Sequence, residues 1–365
     1  MKKVLWIGPI VHPSEVSKFA GISPAANKWQ ISLIECLQSI GWELTILSYI
    51  PNSIFPKGKF HVPPFRGKKT NFKTRQVGYF NVPFIRPLSL LKNHLSALEW
   101  EKVFDVVITY NNSFQNVKIG NYLKQKKCLW VSIVAEEEYV EGPDLTVFLS
   151  YGYFRKASIH NKMHLDGGVE NFIGSEVYNL NKKVLLFSGA LNKWTGIEKF
   201  ALSFSRLNIP GCELHIYGKG NSAIINELVI GQSNIVMKGF VSDLTLEEAC
   251  RNAFAFINPR PTDILGGETN FPSKVLEYLR YGKPILSSKT AGMAPYYENL
   301  LFYYDPNNPE SLVKEIDKLL SVNADDKNAL NKKIEDFCIE HSWDNQAARL
   351  IKEIEKVWDI TDPLQ

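Results

Sequence analysis

Three polar side chains in the second half of the chain are spaced so that they can act on one ligand. Ser273, Lys274 and Glu277 lie three and four residues apart, which places them on one face of a helix. An ammonium group here could neutralise a diphosphate, and the carboxylate one turn further could accept hydrogen bonds from ribose hydroxyls. The alternative is an ordinary surface helix that carries a weak Lys274–Glu277 ion pair.

The flanking residues define the helix that would position these groups. Pro272 suits a first helical position, Gly282 suits a helix end, and Pro284 prevents continuation. We therefore expect a helix from Pro272 to Tyr281. Its free N–H groups and the positive end of its dipole would attract phosphate.

The segment Phe271-Pro-Ser-Lys-x-x-Glu277-Tyr, followed by Gly282-Lys-Pro, resembles the nucleotide-sugar site of family 4 glycosyltransferases with the GT-B fold. The resemblance implies that Glu277 holds the ribose of a nucleoside-diphosphate sugar. It also implies that the diphosphate binds at the start of the helix, among Asn270, Phe271, Pro272, Ser273 and Lys274. Many members carry Glu-x7-Glu, whereas here Glu268 lies one residue early and Thr269 takes the usual position. Glu268 is the candidate contact to the donor sugar.

Two further cations follow predicted strands. Gly189 and Lys193 lie in a glycine-bearing loop between a strand and a helix, and Arg260 follows another strand. The family commonly has an arginine where this chain has Ala190, so Arg260 could supply the missing charge. Cations at these places would stabilise the departing nucleoside diphosphate. Solvated loop cations are the alternative.

A third glycine segment permits two interpretations. Gly218-x-Gly220-x-x-Ala223 follows a strand and precedes a helix, which is also a weak dinucleotide signature. The same sequence pattern is common in the glycosyltransferases that this chain resembles, where it forms part of the floor of the nucleotide pocket. Gly239 and Phe240, at the end of the next strand, are similar to the segment that frames the base.

The first half offers candidate residues for both the donor and the acceptor. Gly21 precedes Ser23 and Pro24, a good helix cap and first turn, and its loop could contact a phosphate or sugar. Glu138 ends three consecutive glutamates after a predicted strand and could orient or deprotonate an acceptor hydroxyl. Many members of the resembling family have a histidine near this point, and His12 is a possible substitute.

Alternating strands and helices predict an α/β protein of two Rossmann-like domains that face each other across a cleft. We expect strands near 3–8, 43–49, 78–84, 105–110, 128–134, 184–188, 213–217, 235–238, 253–257 and 284–288. Helices are expected near 24–39, 88–100 and 114–124. The predicted domains are 1–165 on the acceptor side, 166–341 for the nucleotide sugar, and a helix in 342–365 that crosses back to the first domain, as in the resembling family.

The charge distribution and the cysteine content indicate which partners and which cellular compartment to expect. The net charge is only +4, but Leu44 to Leu98 contains no acidic residue and nine lysines and arginines between Lys57 and Lys92. Interleaved aromatic residues suit anionic lipid headgroups, with nucleic acid as the rival partner and a solvated loop as the plain alternative. Five scattered cysteines indicate neither disulfides nor zinc, and no apolar run is long enough to span a bilayer. We expect a cytoplasmic protein, peripheral at the inner membrane face, that does not bind nucleic acid.

Together these patterns predict a glycosyltransferase that moves a sugar from a nucleoside-diphosphate sugar to a glycan or lipid-linked glycan. The resemblance to family 4 implies that the transfer retains the anomeric configuration and serves cell-surface polysaccharide biosynthesis. Lys193, Arg260, Glu268 and Glu138 are the candidate catalytic residues. No cofactor and no metal are expected, because no Asp-x-Asp occurs and cations can neutralise the leaving group. A nucleotide-dependent epimerase or oxidoreductase, or a non-catalytic sugar-nucleotide-binding subunit, remains the alternative.

Overall fold

A computed structural model describes residues 2–68, 70–98, 103–135, 139–174, 183–207, 209–220, 222–262 and 271–361. The chain forms two compact units. The first comprises Met1–Leu149, Tyr153–Gly168 and Trp343–Gln365, and the second comprises Ser150–Gly152 and Val169–Ser342.

Fifteen strands and eleven α-helices lie in the described part of the chain. The strands are β1 Lys3–Ile7, β2 Glu43–Ser48, β3 His61–Val62, β4 Lys73–Gln76, β5 Tyr79–Phe80, β6 Val106–Tyr110, β7 Leu129–Val134, β8 Leu145–Phe148, β9 Lys162–His164, β10 Lys183–Ser188, β11 Cys212–Tyr217, β12 Ile235–Gly239, β13 Ala255–Asn258, β14 Ile285–Ser288 and β15 Phe302–Tyr304. The helices are α1 Pro24–Ser39, α2 Ile85–Leu98, α3 Phe114–Lys124, α4 Tyr151–Lys156, α5 Ile197–Ser205, α6 Ala223–Gly231, α7 Asp243–Asn252, α8 Lys274–Leu279, α9 Pro309–Ser321, α10 Ala324–Glu340 and α11 Trp343–Thr361.

The first unit is built on a seven-stranded parallel sheet in the order β4-β2-β1-β6-β7-β8-β9. Its central strands are apolar and buried, as expected where helices cover both faces of a parallel sheet. Side chains of α1 and α11 pack in one core layer, and those of α2 and α3 pack in the other.

The last helix belongs to this first unit. Ala347, Leu350, Ile354 and Val357 of α11 are buried in the same core layer as residues of β1 and α1. The ring of Trp343 also meets the ring of Trp29 edge to face, with 5.9 Å between centroids.

One strand prediction in this unit is wrong. Residues 78–84 do not form a strand of the main sheet, and the edge position beside β2 is taken by Lys73–Gln76. That segment contains only polar and charged residues, which an edge strand tolerates because one of its sides is not covered by another strand. Tyr79–Phe80 pairs antiparallel with His61–Val62 instead.

The second unit contains a six-stranded parallel sheet in the order β12-β11-β10-β13-β14-β15. Helices α5, α6 and α9 contribute to the core on one face, and α8 and α10 contribute to the core on the other. The chain leaves β10 in one direction for β11 and β12, and later in the other direction for β13. Such a reversal creates a crevice at the carboxyl ends of the strands, where ligands of doubly wound folds bind.

The predicted α/β class with two Rossmann-like halves is confirmed. No helix in the described part of the chain is long and apolar enough to cross a membrane.

Candidate functional site

The candidate site lies at the carboxyl ends of β10 and β13, where the strand order of the second unit reverses. Gly189 follows β10 and Arg260 follows β13. Helix α8 leads from this edge back to the start of β14, so its first residue, Lys274, lies at the same edge. The topology thus brings these predicted residues to one edge of one sheet.

Helix α8 is shorter than predicted. It spans Lys274–Leu279 rather than Pro272–Tyr281, because Arg280 to Gly282 form a turn. Gly282 ends the helix as expected, with φ +64° and its N–H donating to the carbonyl of Leu279 at 2.9 Å. A six-residue helix has a weak dipole, so side-chain cations must supply most of the attraction for a diphosphate.

A buried tyrosine fixes α8 against the sheet. Tyr278 is 2 % exposed, and its ring stacks on Phe256 of β13 with 4.4 Å between centroids. Its hydroxyl accepts a hydrogen bond from the backbone N–H of Ser188 at 2.9 Å. Burial raises the pKa of Tyr278, so the hydroxyl stays neutral. The end of β10 and the start of α8 are therefore held in a fixed relation.

Lys274 and Glu277 form an ion pair on the exposed side of α8. Lys274 Nζ lies 2.5 Å from Glu277 Oε2, and both side chains are about one-third exposed, at 31 % and 33 %. Burial lowers the pKa of Lys274, but the nearby carboxylate of Glu277 and the Tyr278 hydroxyl outweigh it and raise the pKa overall. Lys274 is therefore a cation that remains accessible to a ligand.

The loops after β10, β11 and β12 pack backbone against backbone. Gly189 N–H donates to the carbonyl of Tyr217 at 3.0 Å, and Gly218 N–H donates to the carbonyl of Gly239 at 2.8 Å. Gly218 has φ +142°, and a Cβ there would lie 1.7 Å from the carbonyl oxygen of Gly189. Glycine is therefore required at position 218. The ends of the three strands form an edge that carries few side chains.

The same packing explains the glycine pattern that suggested a dinucleotide. A Cβ on Gly220 would lie 2.6 Å from Cβ of Leu191, so this glycine also serves contact between loops. The following helix α6 is capped by Ser222, whose Oγ accepts from Ile225 N–H at 3.2 Å. Loop packing thus gives a structural reason for both glycines of the pattern.

Phe240 lies beside this glycine edge and is 67 % exposed. Lys219 Nζ is 3.8 Å from the centroid of its ring, a cation–π contact. An exposed aromatic ring next to a cation is a suitable surface for a nucleotide base. Its predicted contact with the base remains a prediction.

Lys193 lies in the loop that follows β10, and Arg260 contacts this loop. Lys193 is exposed, with Nζ 5.0 Å from the centroid of the Trp194 ring, and Arg260 Nη1 donates to the carbonyl of Trp194 at 3.1 Å. Burial lowers the pKa of Arg260, but an arginine remains cationic in proteins. Gly196 has φ +70°, and a Cβ there would lie 1.7 Å from the carbonyl oxygen of Pro259. The β10 and β13 loops are thus joined at the site.

The predicted residues of the first half belong to the other unit. Gly21 lies in the loop after β1, where a Cβ would come within 2.2 Å of the carbonyl oxygen of Pro51. Ser23 caps α1, and its Oγ accepts from Ala26 N–H at 3.3 Å. His12 Nδ1 accepts from the backbone N–H of Ser14 at 3.2 Å and thereby caps the short 3₁₀ helix that follows.

Three predicted residues, Glu138, Glu268 and Asn270, lie outside the described residues. Within the described ranges, no group of three or more histidine, cysteine, aspartate or glutamate side chains is arranged to hold a metal ion.

Sequence reasoning missed the residues that support the site. Tyr278 and Lys283 were part of the motif but were given no role, and Ser188 was predicted only as the last residue of a strand. Lys283 is 1 % exposed, and its Nζ donates to the carbonyl of Ala253 at 2.7 Å. Their partners lie 90 and 30 positions away in the sequence, so no local pattern identifies them.

Comparison with known proteins agrees with this geometry. Residues 169–337 match the family described as Glycosyl transferases group 1. These residues form a glycosyltransferase group 1 domain. By sequence, no curated protein matches the chain. The group 1 domain contains every described candidate residue from Gly189 to Glu277.

Alignments with solved structures extend over the residues of both units. Sucrose-phosphate synthase from Thermosynechococcus elongatus has TM-score 0.70 and 14 % identity, covering 99 % of this chain and 100 % of that one. A glycosyltransferase from Rickettsia africae has TM-score 0.70 and 14 % identity, with 98 % of each chain covered. Anabaena Alr3699/HepE, in complex with UDP and glucose, has TM-score 0.66 and 11 % identity, covering 97 % of this chain and 100 % of that one. At these identities the likeness shows the fold, which is that of GT-B glycosyltransferases.

Proposed function

We propose that the protein transfers a sugar from a nucleoside-diphosphate sugar to a hydroxyl of a glycan or lipid-linked glycan. The observation that carries the proposal is the carboxyl edge of the group 1 domain, where Lys274, Glu277 and Arg260 flank loops of glycine. Such an edge combines room for a ligand with cations for a diphosphate. The complex of the structurally similar HepE with UDP and glucose supports a nucleotide sugar as the donor.

Each residue has a role in this proposal. Lys193, Arg260 and Lys274 stabilise the charge that develops on the departing diphosphate. Glu277 accepts hydrogen bonds from the ribose, and Phe240 contacts the base. Glu268, Asn270 and Gly21 would contact the donor, while Glu138 would serve the acceptor.

The mechanism we propose is retaining. The acceptor hydroxyl attacks the face from which the diphosphate leaves, and an oxygen of the departing diphosphate takes the acceptor proton. The chain then needs no nucleophile of its own, and it needs only to orient the donor and neutralise the leaving group. No cofactor or metal is part of this scheme.

We further propose that the basic stretch from Lys57 to Lys92 contacts an anionic membrane surface, in cell-surface polysaccharide biosynthesis at the cytoplasmic face. Lys57, Lys59 and Lys68 are exposed, so their charges face solvent. Each such cation near anionic lipid contributes about 1 kcal/mol.

The test is donor binding by matched variants. Isothermal titration with UDP-, GDP- and ADP-sugars, and with NAD, identifies the donor for the wild-type protein. Glu277→Gln should then weaken donor binding about tenfold or more, because a charge-assisted hydrogen bond is worth about 1.5–3 kcal/mol. Glu298→Gln is the control, since Glu298 forms a comparable exposed ion pair with Lys289 at 2.7 Å in the same unit.

Unchanged donor affinity in Glu277→Gln would contradict the assignment of Glu277. Binding of NAD in place of every nucleotide sugar would contradict the transferase proposal itself.

A further inference from the structure

Six large apolar side chains are exposed on the first unit, around the two-stranded sheet of β3 and β5 and at the start of α2. Single exposed apolar residues are ordinary on a protein, whereas a contiguous group marks a place that another molecule or a membrane covers. We call this group the phenylalanine surface, and its members are Phe55, Phe60, Phe80, Phe84, Ile85 and Leu88.

The aromatic rings of the phenylalanine surface contact one another. Phe60 meets Phe55 edge to face with 5.7 Å between centroids, and it meets Phe80 in the same way with 6.0 Å between centroids. The start of α2 is attached at the same place, because Phe80 N–H donates to Ser89 Oγ at 3.0 Å. The exposed side chains of three segments therefore form one continuous patch.

Phe84 is the most exposed large apolar side chain in the described part of the chain, at 91 %. Its φ of +64° lies in the left-handed region, which is disfavoured for a bulky residue. Phe84 directly precedes α2, whose first turn adds the exposed side chains of Ile85 and Leu88, three residues apart on one face. The fold thus maintains both an unfavourable backbone conformation and an exposed ring at this position. Strain of this kind is typical of functional sites, and here it points to a partner that covers the ring.

The charges around the phenylalanine surface are positive. Lys57 and Lys59 are exposed between Phe55 and Phe60 in the chain, and the whole stretch from Leu44 to Leu98 contains no acidic residue. A two-fold contact with a second copy of this chain would bring these like charges together, so charge opposes it. Anionic headgroups complement the cations, and the apolar interior of a bilayer complements the rings. A lipid surface therefore fits both parts of the patch.

We propose that the phenylalanine surface inserts into the boundary between headgroups and acyl chains of an anionic membrane, with Phe84 the deepest residue. Lys57 and Lys59 then lie at the level of the lipid phosphates. This inference deepens the membrane contact proposed above and rests on it, because cations alone only adsorb to headgroups, whereas apolar side chains anchor the protein. For the proposed transferase, such an anchor favours a lipid-linked glycan over a soluble glycan as the acceptor.

The experiment is sedimentation of the full chain with lipid vesicles. One set contains phosphatidylglycerol and phosphatidylcholine, the other contains phosphatidylcholine alone, and each is used in low salt and in about 1 M NaCl. At about 1 M salt the Debye length is about 3 Å, so attraction between exposed charges is screened, whereas apolar insertion is not. We expect tight binding to the anionic vesicles in low salt and a part of that binding that persists in high salt.

A substitution at the tip of the surface tests insertion itself. Phe84→Asn removes the ring but introduces a residue that tolerates positive φ, so urea unfolding should show no loss of stability. It should weaken the salt-resistant binding about tenfold or more, as expected when a phenylalanine side chain is no longer buried. Phe84→Trp should retain that binding, because tryptophan is favoured at membrane interfaces.

Ile40→Asn is the matched control. Ile40 is exposed to the same extent as Phe60, but it follows α1 at the opposite, amino edge of the sheet. This variant should bind both sets of vesicles like the wild-type protein.

Three results would overturn the proposal. The first is binding to anionic vesicles that disappears in high salt and is unchanged in Phe84→Asn, which would leave an electrostatic contact without insertion. The second is an equal loss of binding in Ile40→Asn. The third is no binding to either set of vesicles, which would also contradict the membrane contact and assign the surface to a protein partner. Donor titrations test the transferase proposal separately, so its failure is distinguishable from these results.

Discussion

Replacing Gly218 with alanine tests whether close packing of the strand-end loops shapes the donor site. Gly218 has φ +142°, a backbone region that is essentially restricted to glycine and costs other residues about 1–3 kcal/mol. The new Cβ would lie 1.7 Å from the carbonyl oxygen of Gly189, whereas real contacts stay beyond 3.0 Å. The two loops must therefore separate by 3.0 − 1.7 = 1.3 Å or more.

Separation of the loops would alter the donor site through Ser188, the neighbour of Gly189. Ser188 donates its backbone N–H to the Tyr278 hydroxyl at 2.9 Å, so movement of the β10 end disturbs the contact that fixes α8. A misplacement of about 1 Å costs catalysis on the order of 100-fold. We expect a loss of that order in turnover of the donor.

Gly211→Ala is the matched control for stability. Gly211 has φ +70°, and no atom of the described residues lies within 4 Å of the position that a Cβ would take, so its substitution strains the backbone without overlap. Overlap in a packed region costs about 1–3 kcal/mol. In urea unfolding of the second unit, Gly218→Ala should therefore lose about 2 kcal/mol more than Gly211→Ala. Equal losses and unchanged turnover would refute the loop-packing argument.

Two further predictions concern buried groups. Tyr278→Phe should reduce the free energy of unfolding by about 1–3 kcal/mol in urea titrations, because Ser188 N–H loses its buried acceptor, and an unchanged value would show that this bond does not support the site. His94 is fully buried, and burial lowers its pKa from 6.5 to about 4, so the unfolded chain binds a proton that the folded chain does not. The contribution of His94 to stability is therefore complete above pH 6.5 and falls between pH 6.5 and 4 by about 3 kcal/mol. His94→Gln should remove that part of the pH dependence of the unfolding free energy. The same pH dependence in the variant would contradict this role of His94.

The sequence alone was sufficient to predict a helix where the segment contains the residues that begin and end it. Helix α1 spans Pro24–Ser39, as Ser23 and Pro24 at its start predict, and α3 spans Phe114–Lys124 as expected. The central apolar strands were also found to within two residues, because burial on both faces requires a continuous apolar run.

The other elements could not be predicted from sequence, because they depend on contacts between distant segments. Lys73–Gln76 has no apolar residue, so only its position beside β2 shows that it is a strand. The strand Phe302–Tyr304 was missed because it has only three residues, and its identity depends on pairing with β14. Within the site, the motif from Phe271 to Glu277 could be read from sequence. The Tyr278–Ser188 hydrogen bond could not, because its partners are 90 positions apart.

Hydrogen exchange on donor binding tests the central claim most directly. Backbone amides of the protein are followed by mass spectrometry with and without a saturating nucleotide sugar. We predict slower exchange in the loop from Gly189 to Gly196, in Gly218 to Gly220 and at the start of α8. Binding of the donor with no change in these three segments would contradict the account.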